Sequence, residues 1–400
     1  MDLRFTPEEL AFRDELRGFI RDNLPEDIRE RTRLGYAARK EDIVRWQRIL
    51  NQRHWAAYSW PAEWGGPGWS PVQRMMFLEE NQLAPAPDVN PFNITMLGPV
   101  LIQFGSDEQK RRFLPRAANL DDWWCQGFSE PGAGSDLASL KTAARREGDE
   151  YVVNGQKIWT STAHEADWCF CLVRTDPQAK KRQEGISFLL IDMQTPGITV
   201  RPIISIDGTH HLNEVFFDDV RVPVAMRVGD ENRGWDVAKF LLGNERTGIA
   251  RLGKSKERVG FAKDMARDMR AHGRPLIEDA EFRRRIAQLE VDIKALEITQ
   301  LRVVSAHDQK AGKPDPLSSV LKVKGTELLQ ATTELAMDVG GPLAMPDWAQ
   351  ELAALSNEPE LGPAWATEAT RSYLFLRAAS IYGGTNEIMK NIVAKAVLGL

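Results

Sequence analysis

Apolar residues in this 400-residue chain change their spacing twice. Up to about residue 121 they recur at helical intervals, as at Leu10, Phe12, Leu16 and Ile20; from 122 to 222 they alternate; beyond Pro223 the helical interval returns nearly to the end. Helices bury every third or fourth residue and strands every second, so one stretch cannot serve both patterns. The chain is therefore expected to fold as helices, then a small all-β unit of five or more strands, then long helices packed as a bundle. Its length and 42% hydrophobic content suffice for two or three packed cores.

Local signals refine this layout. Thr6, Pro7 and Glu9 form a capping box that starts the first helix. The tryptophans of "HWAAYSWPAEWGGPGWSP", 54–71, are expected to cover a core edge. Asn154-Gly155 reads as the turn of a β-hairpin. In the last third, breaks fall at Gly273–Pro275, Gly312–Pro316, Gly340–Pro346 and Pro359–Pro363. A formal net charge of -5 without a long basic block excludes the electrostatic footprint of a nucleic-acid binder. Cys125, Cys169 and Cys171 are read as reduced thiols, since the last two share one face of a strand. No run of eighteen apolar residues occurs, and "MDLRFTPEEL" resembles neither a signal nor a transit segment, so a soluble cytoplasmic protein with no membrane span is expected.

Three stretches could carry chemistry. The loop "QGFSEPGAGSDLAS", 126–139, offers backbone N–H groups with little side-chain cover, suited to a flat ring or a phosphate, or is simply a turn. It is joined by "KIWTSTA", which puts Trp159, Thr160 and Ser161 at a strand end. "IYGGTNEIMK" leads a Gly-Gly loop into a helix capped by Thr385 or Asn386, a site for an anionic or dipolar group or a plain helix corner. "KFLLGNERTGIARLG", 239–253, reads as one buried helix, yet it carries Glu245 on the face of Leu241, Leu242, Ile249 and Leu252. A carboxylate there must be paired with an Arg from elsewhere or have a raised pKa useful for proton abstraction.

Together these stretches resemble the acyl-CoA dehydrogenase family: "GFSEPGAGSDLASLKTAA", "YVVNGQKIWTSTAHEADW", "NEVFFDDVRVP", "GNERTGIA" and "IYGGTNEIMKNIVAKAVLG" match its signatures in order over nearly the whole chain. Nearest are the heteromeric members that act on pimeloyl-CoA or shorten steroid side chains. The resemblance implies an α+β, three-domain fold: an N-terminal helical domain over 1–121, a central β-barrel-like domain over 122–230 and a C-terminal four-helix bundle over 231–400. It implies FAD as cofactor, held by Gln126, Phe128, Ser129, Gly134, Ser135, Trp159, Ser161, Thr385 and Glu387, with Ser135 also near the CoA phosphates.

The implied reaction is α,β-dehydrogenation of an acyl-CoA to its trans-2-enoyl form. Family members place the base either in the C-terminal loop or on the bundle helix before an Arg. Here the loop holds Gly383, so the resemblance assigns the base to Glu245, the thioester oxygen to the Gly383 N–H, and CoA phosphate to Arg246. Two motifs that reach a neighbouring subunit's FAD are degraded, at "MRAHGRPLIED" and "LAMDVGGPLAM". That implies a homologous small subunit in an α2β2 heterotetramer, with electron-transfer flavoprotein taking the electrons. The glycine at 383 leaves room for a bulky, branched or ω-carboxylated acyl group, in a pocket lined from 79–100 and the start of the long bundle helix. A non-catalytic partner subunit and a flavin-dependent oxygenase are the rival readings.

Overall fold

The computed structural model describes residues 4–245, 250–307, 316–345 and 362–400. Helices α1 (Pro7–Asn23), α2 (Glu26–Arg33), α3 (Lys40–Asn51), α4 (Pro71–Leu83), α5 (Gly98–Phe104) and α6 (Asp107–Asn119) form the first unit. The capping box is present: Glu9 N–H donates to Thr6 Oγ1 at 3.2 Å and Thr6 N–H to Glu9 Oε2 at 2.8 Å. The aromatic loop differs from its expectation. Trp55, Trp60 and Trp69 sit inside the core with Leu16, Trp46 and Phe77 rather than along its edge. Trp60 donates to the Ile94 carbonyl at 2.7 Å, and a Cβ on Gly98 would lie 2.0 Å from its ring, so this indole fixes the approach of α5.

With β5 at Ile186–Asp192, β6 at Ile198–Ile204 and β8 at Arg227–Val228, the middle unit is a mixed sheet in the order β6-β7-β3-β2-β4-β5-β8, and β1 (Trp124–Gly127) pairs parallel to β4 (Trp168–Arg174). Strands β2 (Ala143–Glu147) and β3 (Glu150–Lys157) do form a hairpin, but its turn is Gly148-Asp149, not Asn154-Gly155. Gly155 lies inside β3 at φ 149°, where the register with β7 (His210–Pro223) shifts. A Cβ there would sit 2.6 Å from Thr142, so this glycine serves a bulge and a close backbone approach. Cys125, Cys169 and Cys171 are free and buried together; Cys125 holds the Cys169 thiol's pKa up, and burial does the same for Cys171.

In the last unit α8 (Leu252–Asp268), α9 (Ala280–His307), α10 (Ser318–Gly340) and α11 (Ala364–Phe375) pack around Leu321, Leu335, Val339 and Trp365. The break at Gly273 is a two-stranded hairpin, β9 (Arg270–Ala271) with β10 (Arg274–Pro275). Breaks near 312 and 359 lie outside the described residues. The single helix expected over 239–253 is instead two. Helix α7 spans Gly234–Glu245, and Arg251 adopts φ 44° before α8 begins, so Leu252 does not continue the register of Leu241. Arg251 leaves the helical path where its guanidinium pairs with Asp88 of the first unit. Helix α12 (Asn386–Ala396) closes the chain. Among the described residues no helix is long and apolar enough to cross a membrane.

Candidate functional site

All three units border a cavity of about 2180 Å³. Its β-domain wall comes from the loop after β1 and the end of β3. Glu130 and Ala133 exchange backbone hydrogen bonds, both at 3.0 Å, which folds "SEPGAG" back on itself. The Glu130 carboxylate accepts from the backbone N–H groups of Lys141 and Thr142 at 2.6 and 2.9 Å, and from Lys157 Nζ at 2.8 Å. Lys157 is 0% exposed and also donates to the Phe128 carbonyl at 3.1 Å. Burial alone would raise the Glu130 pKa, but the Lys157 charge and these donors outweigh it and hold the carboxyl below its ordinary value. Ile158 N–H donates to the Ser129 carbonyl at 2.9 Å, so the loop and the strand end move as one piece.

That rigidity presents Trp159 to the cavity. Its backbone is left-handed, φ 60°, and its indole is 57% exposed. An exposed tryptophan held in a rare conformation signals a ligand-facing role. Thr160 is tied down by Asn213, whose carbonyl accepts from Thr160 N–H and whose amide donates to the Thr160 carbonyl, both at 3.0 Å. Asn213 also bridges His164 and His210, whose rings stack with centroids 3.9 Å apart. Burial, then the neighbouring His210, lowers the His164 pKa; burial lowers that of His211.

The bundle wall is made of element ends. Gly383 and Gly384 have φ 64° and 85°, conformations that L side chains rarely adopt, before Thr385 caps α12 by accepting from Ile388 N–H at 3.2 Å. Asn386, next in line, accepts from Lys322 Nζ at 2.9 Å and Thr326 Oγ1 at 3.2 Å inside the bundle, which anchors the glycine loop. Lys254 faces the cavity with its pKa pushed down to about 8, by burial first and then by Arg258.

Of the residues singled out in the sequence, Gln126, Ser129, Gly134, Ser135, Trp159, Ser161, Gly383 and Thr385 line this one cavity. Phe128 packs edge-on against Phe170 and Phe188, leaving its backbone for the site. Glu387 stands in the first turn of α12, away from the lining. The backbone of Glu245 is helical, in α7; its side chain and Arg246 lie outside the described residues. Gly243 and Arg251, before and after it, both line the cavity, as do residues from 81–99 and Asp236, Lys239 and Phe240 of α7.

The residues fit a flavin on three observations. A Cβ on Gly134 would meet nothing within 4 Å, the Trp159 ring is open, and Thr160 Oγ1 is buried without a hydrogen-bond partner among the described residues. Sequence reasoning missed Glu130, Lys157, Asn213, Asp88 and Arg251. Glu130 and Lys157 sit in the quoted motifs, and a charged pair beside glycines was the signal available.

Residues 6–121, 125–220 and 232–398 match the models described as the N-terminal, middle and C-terminal domains of acyl-CoA dehydrogenase. The chain is 40% identical over 397 residues to acyl-CoA dehydrogenase IpdE1 of Mycobacterium tuberculosis, covering 97% of each. It superposes on the ChsE4-ChsE5 complex from Mycobacterium tuberculosis with a TM-score of 0.82 at 32% identity, covering 100% of this chain and 99% of that one. Its TM-score with the Tcur3481-Tcur3483 steroid ACAD is 0.85 at 29% identity, with coverage of 100% and 99%.

Proposed function

This chain belongs to the acyl-CoA dehydrogenase family, and from that premise we propose that it oxidises a bulky acyl-CoA thioester to its trans-2-enoyl form, with FAD as cofactor. The observation that carries the reading is the convergence of eight motif residues, Gly383 among them, on one cavity that Gly243 and Arg251 also border on either side of Glu245. FAD, when bound, supplies the acceptor for the hydride that leaves the β-carbon.

This chain's own residues do the rest. Gln126, the Phe128 backbone, Ser129, Gly134, Ser135, Trp159 and Ser161 would hold the flavin on the rigid β wall, with Thr385 and Glu387 on the bundle side. The Glu245 carboxylate would take the α-proton. A base that must meet a weakly acidic C–H needs close contact and a pKa lifted by apolar surroundings, and Glu245 shares its helical spacing with Leu241 and Leu242. The Gly383 N–H would donate to the thioester oxygen as it gathers charge, and the missing side chain there makes space for acyl bulk. Ser135 and Arg246 would meet the CoA phosphates.

A homologous small subunit in an α2β2 heterotetramer would complete the cofactor site, because the two sequence motifs that reach across subunits are degraded here. In this structure "MRAHGRPLIED" forms the short β9-β10 hairpin and "LAMDVGGPLAM" ends α10. Electron-transfer flavoprotein would be the electron acceptor. The test is co-purification with the neighbouring homologous chain, flavin content by absorbance, and anaerobic bleaching by a panel of acyl-CoA thioesters. A flavin-loaded complex bleached by one thioester class and yielding its enoyl product supports the reading; a flavin-free complex inert to all of them overturns it.

A further inference from the structure

One wall of the cavity is a line of polar groups running from the C-terminal domain into the N-terminal one. Tyr382, next to Gly383, hydrogen-bonds the Arg251 guanidinium, and Arg251 pairs with Asp88 of the N-terminal domain. Asp88 and Arg74 are in turn close enough to Tyr58 to act electrostatically on its phenol. All five residues line the cavity. Both Asp88 oxygens are engaged, Oδ2 by Arg251 and Oδ1 by Gln82 Nε2 at 3.3 Å.

Tyr58 differs from the rest of this line. It is only 6% exposed, its ring packs against Phe77 at 5.4 Å, and among the described residues its hydroxyl makes no hydrogen bond. Ser59 beside it also lines the cavity, and its buried hydroxyl is likewise without a partner among the described residues. Buried tyrosine hydroxyls normally find a partner, and an unmade bond is costly. The Tyr58 hydroxyl, left open at a ligand cavity, points to a partner that the ligand brings.

We infer that Tyr58 is a specificity-determining residue that hydrogen-bonds a neutral oxygen, hydroxyl or keto, carried on the acyl group beyond the reacting carbons. This rests on the acyl-CoA dehydrogenase reading above and narrows its substrate class. A neutral oxygen fits better than a carboxylate, because the Tyr58 hydroxyl is an uncharged donor and the Arg251 charge is already offset by Asp88. Burial, reinforced by Asp88, pushes the phenol's pKa up, so it remains a donor at any working pH. Met75, Leu78, Met96 and Phe240 line the same cavity and would pack against the hydrocarbon around that oxygen. A site built to bond a substrate hydroxyl discriminates strongly against the analogue that lacks it, since the protein's own group is then left unpaired.

The test is calorimetric titration of the FAD-loaded enzyme, in its native assembly, with cyclohexylpropanoyl-CoA, its ring-hydroxylated counterpart and pimeloyl-CoA. The hydroxylated thioester should bind about tenfold tighter than its parent, and Tyr58→Phe should bring that ratio close to one. Equal binding of the two by the wild type, a ratio that survives in Tyr58→Phe, or a Tyr58-dependent preference for pimeloyl-CoA each overturns the inference while leaving the dehydrogenase reading intact. Failure of all three thioesters to bind overturns both. The wild-type ratio alone decides if the variant does not fold.

Discussion

The two walls of the cavity are built on opposite principles. The β wall is clamped: a buried lysine, a buried glutamate and paired backbone hydrogen bonds hold the loop at 128–135 and the strand end at 157–161 in one geometry. The bundle wall is assembled from junctions between elements, namely Gly243 of α7, the left-handed Arg251 before α8 and the two left-handed glycines before α12. A flat cofactor with fixed contacts suits the first wall. A substrate that must enter, be gripped at one carbon and leave suits the second. The difference teaches that the cofactor-facing wall is fixed by a buried charge pair, whereas the substrate-facing wall is fixed by caps and by an ion pair reaching the N-terminal unit.

The contrast is most easily broken at Lys157. Lys157→Met leaves the Glu130 carboxylate buried with its charge partner gone, and should cost about 3–5 kcal/mol in denaturant unfolding. It should also weaken FAD affinity, read by flavin fluorescence. The paired Glu130→Gln/Lys157→Met variant should recover most of the stability, because no charge is then stranded. A loss below about 1 kcal/mol in the single variant would mean that the β wall is not clamped by this pair.

Gly384→Ala sharpens the other side. At φ 85° a side chain is strained, and its Cβ would meet the end of Met389 at 2.5 Å. The expected cost is about 1–2 kcal/mol, seen as a lowered melting temperature, with a higher KM for acyl-CoA because the loop that carries Gly383 shifts. Unchanged KM would detach this loop from substrate binding.

The smallest effect concerns pH. His164 and His211 are held below the ordinary imidazole value of 6.5. The unfolded chain therefore takes up protons first as pH falls, so stability present above 6.5 declines as pH drops through that value toward the lowered ones. Melting temperature measured between neutral and mildly acidic pH should fall less steeply in a His164→Asn/His211→Asn variant. An identical slope would remove the histidines from the explanation.

What the sequence disclosed, and what it hid, divides along physical lines. The two changes of apolar period set the three units, and the Thr6 cap is local chemistry that needs no tertiary information. The glycine- and hydroxyl-rich motifs marked the cavity because bare backbone has few other uses. Contacts made at long separation were invisible: Lys157 meets Glu130 only because β3 passes beneath the loop, and Arg251 meets Asp88 across two units. The same limit explains two of the three misreadings. Asn154-Gly155 has turn composition, but Gly155 is demanded by Thr142 pressing on it, which no local pattern reveals. The helix expected through 253 has unbroken apolar spacing, yet Arg251 departs from it beside a carboxylate far away in the chain.

The role of Glu245 is tested most directly by anaerobic stopped-flow mixing of the FAD-loaded Glu245→Gln variant with its best acyl-CoA thioester, following flavin absorbance. The amide keeps the size and removes the base, so bleaching should slow by at least about a hundredfold while thioester binding changes little. Bleaching at the wild-type rate would show that another group removes the α-proton and that the end of α7 is not the catalytic wall.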